Sequence, residues 1–396
     1  MSASASAGAA AEPVRFQDLL QRWGPVYLDR FGSDMPPRQR QVLQKLLACR
    51  TPALGGTLFA CPDCGAHHYA YHSCNDRHCP QCGQTDADQW LAAHTSLLLP
   101  VPYFLVTFTV PEPLRRWIRS HPSVGLDLLF SASAQALQDL AQNPHRRGAS
   151  LGMLGVLHTW SRTLLYHPHV HYLVPGGGLS ADERQWISAG PKFLVHVRPL
   201  GQRFRTLFRQ GLQRHAPEAL DQLPRRIWKQ SWVVHCEPVG SGHTALQYLS
   251  RYVFKTATNN RWLPVLPDGR VLWLYRDSHS GQSASLRLEP LELIRRFVQH
   301  ILPPGFHRVR RFGWLHPARR VPLNRVRALL RQPALLTEAQ RAAWQPPPSD
   351  FEPPEPLPAS DHTPLCPQCH RPMIRLGRWR KGQLPPDPPA RAPPTT

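Results

Sequence analysis

Two histidines one residue apart, His169 and His171, sit in an apolar stretch that begins at Tyr166 and ends in three glycines at Gly178. The stretch reads as a strand, on which residues i and i+2 point to the same face, so both imidazoles face one way and can share a divalent cation. Downstream, residues 245–255 read as a helix that sets Tyr248 and Tyr252 one turn apart on one side, next to Arg251 and Lys255. A phenol beside a metal-polarised phosphate can displace an alcohol and hold the phosphoryl group covalently. Paired imidazoles and paired phenols therefore point to phosphoryl transfer through a tyrosine adduct. A free phenol ionises near pH ~10, and the two cations are placed to favour the phenolate.

The second chemical feature is sulfur. Cys61 and Cys64 form one Cys-x-x-Cys turn and Cys79 and Cys82 another, each followed by a glycine. Two such turns match a four-thiolate structural zinc site. Cys74 and His78 leave the ligand set open, since either could replace one of the four or hydrogen-bond to a thiolate. Nine cysteines, an odd number mostly in pairs, fit metal ligation in a reducing compartment better than a disulfide framework. A third pair, Cys366 and Cys369 followed by His370, has no second half nearby and either closes on distant ligands or is a remnant.

The elements that must position these groups follow from periodicity. Phe104, Val106, Phe108 and Val110 alternate as a half-buried strand, and residues 151–160 read as another. If that second strand forms a hairpin with the histidine strand, His158 comes roughly opposite His171, a third ligand or else a satisfied core histidine. Helices are expected over residues 14–31, interrupted at Gly24-Pro25, over 37–49, and from Ser123 through Leu140. Further strands are expected at 193–197 and 231–237 about a basic helix near 202–213, then a meander over 261–289 and a helix over 291–301. In the tyrosine helix Ala245, Leu246, Leu249 and Val253 make the buried stripe. Residues 306–314 interleave Arg308, Arg310 and Arg311 with aromatics, a pattern suited to neutralising phosphates and stacking on unpaired bases, or simply a solvated basic strand.

With 47 Lys+Arg against 26 Asp+Glu, a formal charge of +21, the chain reads as a polyanion binder, with nucleic acid the first partner. The basic residues lie in folded-looking segments rather than along one amphipathic helix, and no apolar run reaches membrane-spanning length, which disfavours a membrane. The N-terminus lacks the pattern of a signal peptide, and a cytoplasmic, nucleoid-associated bacterial protein is expected. The divisions read from composition are a disordered start at 1–13, a helical and zinc-ribbon DNA-binding domain at 14–98, a catalytic domain at 99–318, a basic helical extension at 319–344, and a proline-rich flexible tail at 345–396.

Taken in order, the cysteine pairs, the strand at 104–111, Leu157 to Trp160, the three histidines with their glycines, the Tyr248–Tyr252 helix and residues 294–306 resemble the IS-ninety-one family of rolling-circle transposases. These are two-tyrosine members of the HUH endonuclease superfamily with an N-terminal zinc-binding domain, and the likeness runs from about residue 39 to 317. It implies an α+β fold, with a central antiparallel sheet flanked by helices, a small helical and zinc-ribbon domain before it and a disordered tail after it. It further implies that His169 and His171 bind magnesium or manganese, that Tyr248 and Tyr252 are nucleophiles, and that Cys61, Cys64, Cys79 and Cys82 hold zinc. Asn260 matches an asparagine that follows the tyrosine helix, without a role read from it. The implied reaction is cleavage and strand transfer on single-stranded DNA, at element ends and target, through 5′-phosphotyrosine. The rival readings are a non-catalytic zinc-ribbon DNA-binding protein, a decayed copy of a transposase, and a His-x-His metallohydrolase of small esters or amides. The last lacks the further ligand series such enzymes need, and its small substrates give no reason for the charge.

Overall fold

Three largely apolar runs, flanked by edge segments at 309–313 and 234–238, build a five-stranded antiparallel sheet. In spatial order its strands are Val309–Gly313, Gly152–Trp160, Tyr166–Pro175, Tyr103–Thr109 and Val234–Pro238. The computed structural model describes residues 12–82, 84–145, 147–253, 257–277, 280–319, 323–330 and 364–387, without the side chains of 12, 84–87, 251 and 252.

The two faces of the sheet are closed differently. Phe104, Val106, Phe108, Val170, Tyr172 and Val174 enter a core covered by helices Glu112–Ser120, Pro122–Gln142 and Val197–His215. Tyr172, wholly buried there, donates its hydroxyl to the Phe130 carbonyl at 3.0 Å and lies 2.8 Å from Ser133 Oγ, so its polar atom is satisfied. On the other face Leu105, Leu154, Val156 and Leu173 pack with Ala245, Leu246 and Leu249 of helix His243–Val253. Alternation along the strands places His158, His169 and His171 on this second face, under the tyrosine helix.

Helices Phe16–Phe31 and Pro37–Leu47 share one core with Leu263, Trp273, Leu288, Ile294 and Phe297. The latter come from a sheet of Glu12–Arg15, Trp262–Val265, Val271–Arg276 and Ser283–Leu288 and from helix Pro290–Val298. The helices expected in a separate domain at 14–98 are thus built into the same core as residues 263–301. Asn260 gains a role here: its Oδ1 accepts the Gln17 amide, 243 positions away, at 2.9 Å, and the Arg261 carbonyl accepts that of Phe16 at 3.0 Å, so two orphan donors of the first helix are satisfied from far along the chain.

Several expectations are corrected. The first helix runs through Gly24-Pro25 despite the roughly 3 kcal/mol cost of an interior proline: Phe16, Leu19, Leu20 and Tyr27 are buried on either side of it, and Gly24 lies so close to Leu47 that an added Cβ would stand 2.4 Å from its methyl. Residues 193–197 form no strand: Phe193 makes a single bridge to Gly190, and helix Val197–His215 starts at once, with Pro199 in its first turn where no amide is needed. Glu12 and Pro13, expected disordered, pair with Val265 and Pro264. The expected tail is not loose throughout, since Ile374–Arg380 is an edge strand against Gly55–Ala60, which pairs in turn with His67–Tyr71. The remaining expected tail residues, 345–363 and 388–396, lie outside the described residues.

Candidate metal and tyrosine site

Thr107 and Val156 flank His171 from the neighbouring strands, while Thr109 and His158 flank His169. His158 is therefore opposite His169 rather than His171, a register two residues from the expected one, and an irregularity follows between His158 and Trp160. The shift keeps His158 on the shared face. Its ring centroid is 4.4 Å from that of His171 and 5.2 Å from that of His169, and one ligand atom from each of the three lies within 4.8 Å of the others.

The tautomers suit a cation. The His167 carbonyl accepts from His169 Nδ1 at 2.6 Å, and Thr107 Oγ1 lies 2.8 Å from His171 Nδ1. The carbonyl keeps the His169 proton on Nδ1, and the Thr107 hydroxyl can accept one from His171 Nδ1, which leaves both Nε2 lone pairs free for a cation, the usual second-layer arrangement of metal-binding histidines. His171 Nε2 is buried and has no hydrogen-bond partner among the described residues. Burial lowers the pKa of His169 to about 4 and holds His158 and His171 well below the ordinary imidazole value, so all three are neutral at physiological pH. Three neutral imidazoles converging in a buried space can hold a divalent cation, with positions left for oxygen ligands. His167 shares the face but lies outside this group.

Helix His243–Val253 starts where Gly242, at φ +80°, turns the chain so close to Tyr103 that a Cβ would stand 2.7 Å from its ring. Its buried Ala245, Leu246 and Leu249 set the rotation of the helix, and Tyr248, 39% exposed, falls over the histidines. The Tyr248 ring centroid is 6.2 Å from that of His171 and 6.3 Å from that of His158. Tyr252 follows one turn later on the same helix; its side chain, that of Arg251, and the whole of Lys255 lie outside the described residues.

The expected DNA-contacting stretch is reassigned in part. Arg308 is 6% exposed; it donates to the Val253 carbonyl at 3.2 Å, and burial lowers its pKa to about 9. It secures the end of the tyrosine helix from beneath and does not face solvent. Arg310 is half-buried across Phe130 and Phe306 and pairs with Asp127, while Arg311 is exposed. Phe306 and Trp314 are buried and Phe312 packs on the helical core, so these aromatics are not a stacking surface.

The four cysteines expected to share one zinc are divided. Cys79 and Cys82 join Cys74 and Cys49, with Sγ–Sγ separations of 3.6 Å (Cys49–Cys79), 3.7 Å (Cys49–Cys82) and 3.9 Å (Cys74–Cys82). Cys61 and Cys64 join Cys366 and Cys369. Hydrogen bonding within the first group, from Cys74 foremost, lowers the Cys49 thiol to about 7. His78 is not a ligand: its Nδ1 meets Asp76 at 2.8 Å and its Nε2 accepts the Leu302 amide at 3.1 Å. Sequence reasoning missed Cys49, whose only signal was being a lone cysteine at a helix end, and Thr107, which carried none.

Comparison with known proteins gives two family matches. Residues 152–322 match a family described as "Putative transposase", and residues 19–110 match a transposase zinc-binding domain. The chain is 37% identical over 316 residues to a Sinorhizobium fredii protein named "Putative transposase y4qJ", covering 75% of this chain and 79% of that one. It is 30% identical over 300 residues to the transposase for insertion sequence element IS801 of Pseudomonas savastanoi pv. phaseolicola, covering 69% and 70%. No solved structure matches it.

Proposed function

The chain belongs to the insertion-sequence transposases of the IS801 and IS-ninety-one type, and from that premise we propose that it cuts and rejoins single-stranded DNA through tyrosine adducts on an HUH-type sheet. The observation that carries this reading is the approach of Tyr248 to the three-histidine group, 6.2 Å between ring centres at His171. A phosphate between them touches both.

The Tyr248 oxygen attacks the scissile phosphorus in line. A P–O bond to tyrosine forms, the P–O3′ bond breaks, the phenolic proton leaves to water, and the departing 3′ oxygen takes a proton up. The 5′ side stays on the enzyme as phosphotyrosine, so the phosphodiester energy is conserved and the reverse attack by a 3′-hydroxyl reseals the strand. A magnesium or manganese ion held by His158, His169 and His171 would supply Lewis-acid polarisation of the phosphate. His167 orients the His169 imidazole and Thr107 that of His171, each through the outer nitrogen. Tyr252, one helical turn from Tyr248, is the second nucleophile, so that one strand end is held while another is cut. Arg251 and Lys255, close in sequence to both tyrosines, would favour the phenolate. Zinc at Cys49, Cys74, Cys79 and Cys82, within the matched zinc-binding region, is structural.

Incubation with end-labelled single-stranded DNA of the element terminus and manganese should give a covalent band on a denaturing gel. Tyr248→Phe with Tyr252→Phe should abolish it while DNA retention persists. An undiminished adduct in that double variant removes the proposed nucleophiles.

A further inference from the structure

We propose that Cys61, Cys64, Cys366 and Cys369 bind a second zinc ion, which fastens residues 364–387 to the N-terminal part of the chain as the third strand of its sheet. The matched zinc-binding region ends at residue 110, so half of this ligand set lies far outside it.

The two turns are built alike although about three hundred residues apart. The Cys61 amide donates to the Ala66 carbonyl at 2.8 Å and the Gly65 amide returns to the Cys61 carbonyl at 3.0 Å; the Cys366 amide donates to Arg371 at 2.8 Å and the His370 amide to Cys366 at 2.9 Å. Gly65 and His370 hold equivalent left-handed positions, at φ 69° and 59°. Each turn thus presents two sulfurs on one side of a tight loop, and the loops face each other. The Gln368 amide also points at Cys366 Sγ, 3.4 Å away, a donor suited to a thiolate.

The sulfurs are spaced for an ion. Cys61 to Cys369 is 3.3 Å, Cys64 to Cys366 is 3.5 Å, and all four lie within 4.8 Å of one another. A zinc–sulfur distance of ~2.3 Å makes the edge of a tetrahedron about 3.8 Å, whereas a disulfide is ~2.0 Å. Four soft sulfurs in this geometry select zinc over hard cations.

Burial alone does not explain the docking. The apolar core at the join consists of Cys61, Ala66, Cys366 and Met373, and small units of that size depend on a metal or a cross-link. Beyond it, Trp379 is buried edge-on against Tyr69 and Tyr71, and Tyr69 donates to the Pro386 carbonyl at 2.9 Å. The strand so held carries Arg375, Arg378 and Arg380 exposed on the edge of the sheet, with Arg371 and Lys381 at its ends.

The test uses the full-length protein purified with its zinc. Cys366→Ser with Cys369→Ser should contain one zinc fewer per chain than the wild type by elemental analysis, and Cys49→Ser with Cys74→Ser should lose one independently. In native wild-type protein, Cys61, Cys64, Cys366 and Cys369 should resist maleimide together and react together once a chelator is added, read by peptide mass spectrometry; this arm holds even if a variant fails to fold. Trypsin should cut after Arg375, Arg378, Arg380 or Lys381 only after chelation. Unchanged zinc in the Cys366/Cys369 variant, or rapid native labelling of Cys366 and Cys369 while Cys61 and Cys64 stay protected, overturns the proposal.

Discussion

Thr107→Val removes one hydroxyl beside the candidate metal centre and keeps the shape of the side chain. That hydroxyl lies 2.8 Å from His171 Nδ1, and His171 is 8% exposed, so water does not replace it freely. Losing the partner of a buried imidazole nitrogen costs about 1–3 kcal/mol, which should lower the stability of the ion-free protein measurably. The loss is greater with a cation on Nε2, because a polarised imidazole is the stronger donor and its proton is then confined to Nδ1. Outer partners of this kind are worth about 10–100-fold in metal affinity, or about 1.4–2.7 kcal/mol. A neutral hydroxyl, weaker than a carboxylate, belongs at the low end, near ~tenfold. Manganese affinity is read from the resonance signal of the free ion, and cleavage of single-stranded terminal DNA from a single-turnover manganese titration. The expected result is weaker manganese binding with cleavage restored at saturating manganese. Unchanged affinity, or a cleavage defect that saturation does not relieve, refutes the assignment of Thr107 to the imidazole.

Four further outcomes follow from the geometry. Arg308→Met should leave the salt dependence of DNA binding unchanged because the guanidinium is buried, whereas Arg311→Ala, on the surface, should reduce the log–log slope by about 0.7 if it meets one phosphate of a single strand. Burial lowers the pKa of His300 to about 4, below its unfolded value of ~6.5, so its contribution is complete above pH ~6.5 and is lost as pH falls toward 4, on the order of 3 kcal/mol in all. His300→Asn should flatten the loss of denaturant stability over that window by up to one proton's worth, and an unchanged slope would contradict a buried neutral imidazole. Gly242→Ala places a methyl 2.7 Å from the Tyr103 ring at a positive φ and should destabilise the start of the tyrosine helix by more than ~1 kcal/mol in thermal unfolding. Cys366→Ser with Cys369→Ser should lower the salt slope of DNA binding by about 0.7 for each phosphate its arginine strand contacts, and an unchanged slope would exclude that strand from the DNA surface.

What the sequence made legible is what depends on near neighbours. Alternation at Phe104, Val106 and Phe108 states directly that one face of a strand is buried, and the spacing of Leu246 and Leu249 fixes which side of a helix faces in. The paired imidazoles at 169 and 171 and the phenol at 248 are local in the same sense, and the structure brings them together. Ligand partners are not local. Adjacent Cys-x-x-Cys turns at 61–64 and 79–82 read as one site because nothing near them says which turn each will meet; the pairing of Gly55–Ala60 with Ile374–Arg380 decides it. The arginine and aromatic run at 306–314 misled for a related reason. Phe312 turns to the helical core and Trp314, just past the strand, to the opposite one, so the aromatics of a pattern suited to a surface serve the interior while Arg311 stays exposed.

The cysteine group at Cys49, Cys74, Cys79 and Cys82 bears on the chemistry through contacts as well as through any DNA it touches. Between Cys74 and Cys79 the loop carries Asp76, Arg77 and His78. Arg77 donates to the carbonyls of Phe306 and Pro303, and His78, wholly buried and lowered by that burial to about 4, accepts the Leu302 amide. The segment they grip, 302–306, runs directly into Arg308, whose guanidinium holds the Val253 carbonyl at the end of the helix that carries Tyr248. An ion that fixes the loop would therefore fix, through three side chains and one short stretch of backbone, the far end of the helix that sets the Tyr248 ring centre 6.2 Å from that of His171. Positioning of this kind needs rigid elements at both ends, and the glycine at 242 and the arginine at 308 supply them from opposite sides of the sheet sequence. The sulfur cluster is in this respect part of the framework of the tyrosine site, which accounts for the short, fully partnered link between them.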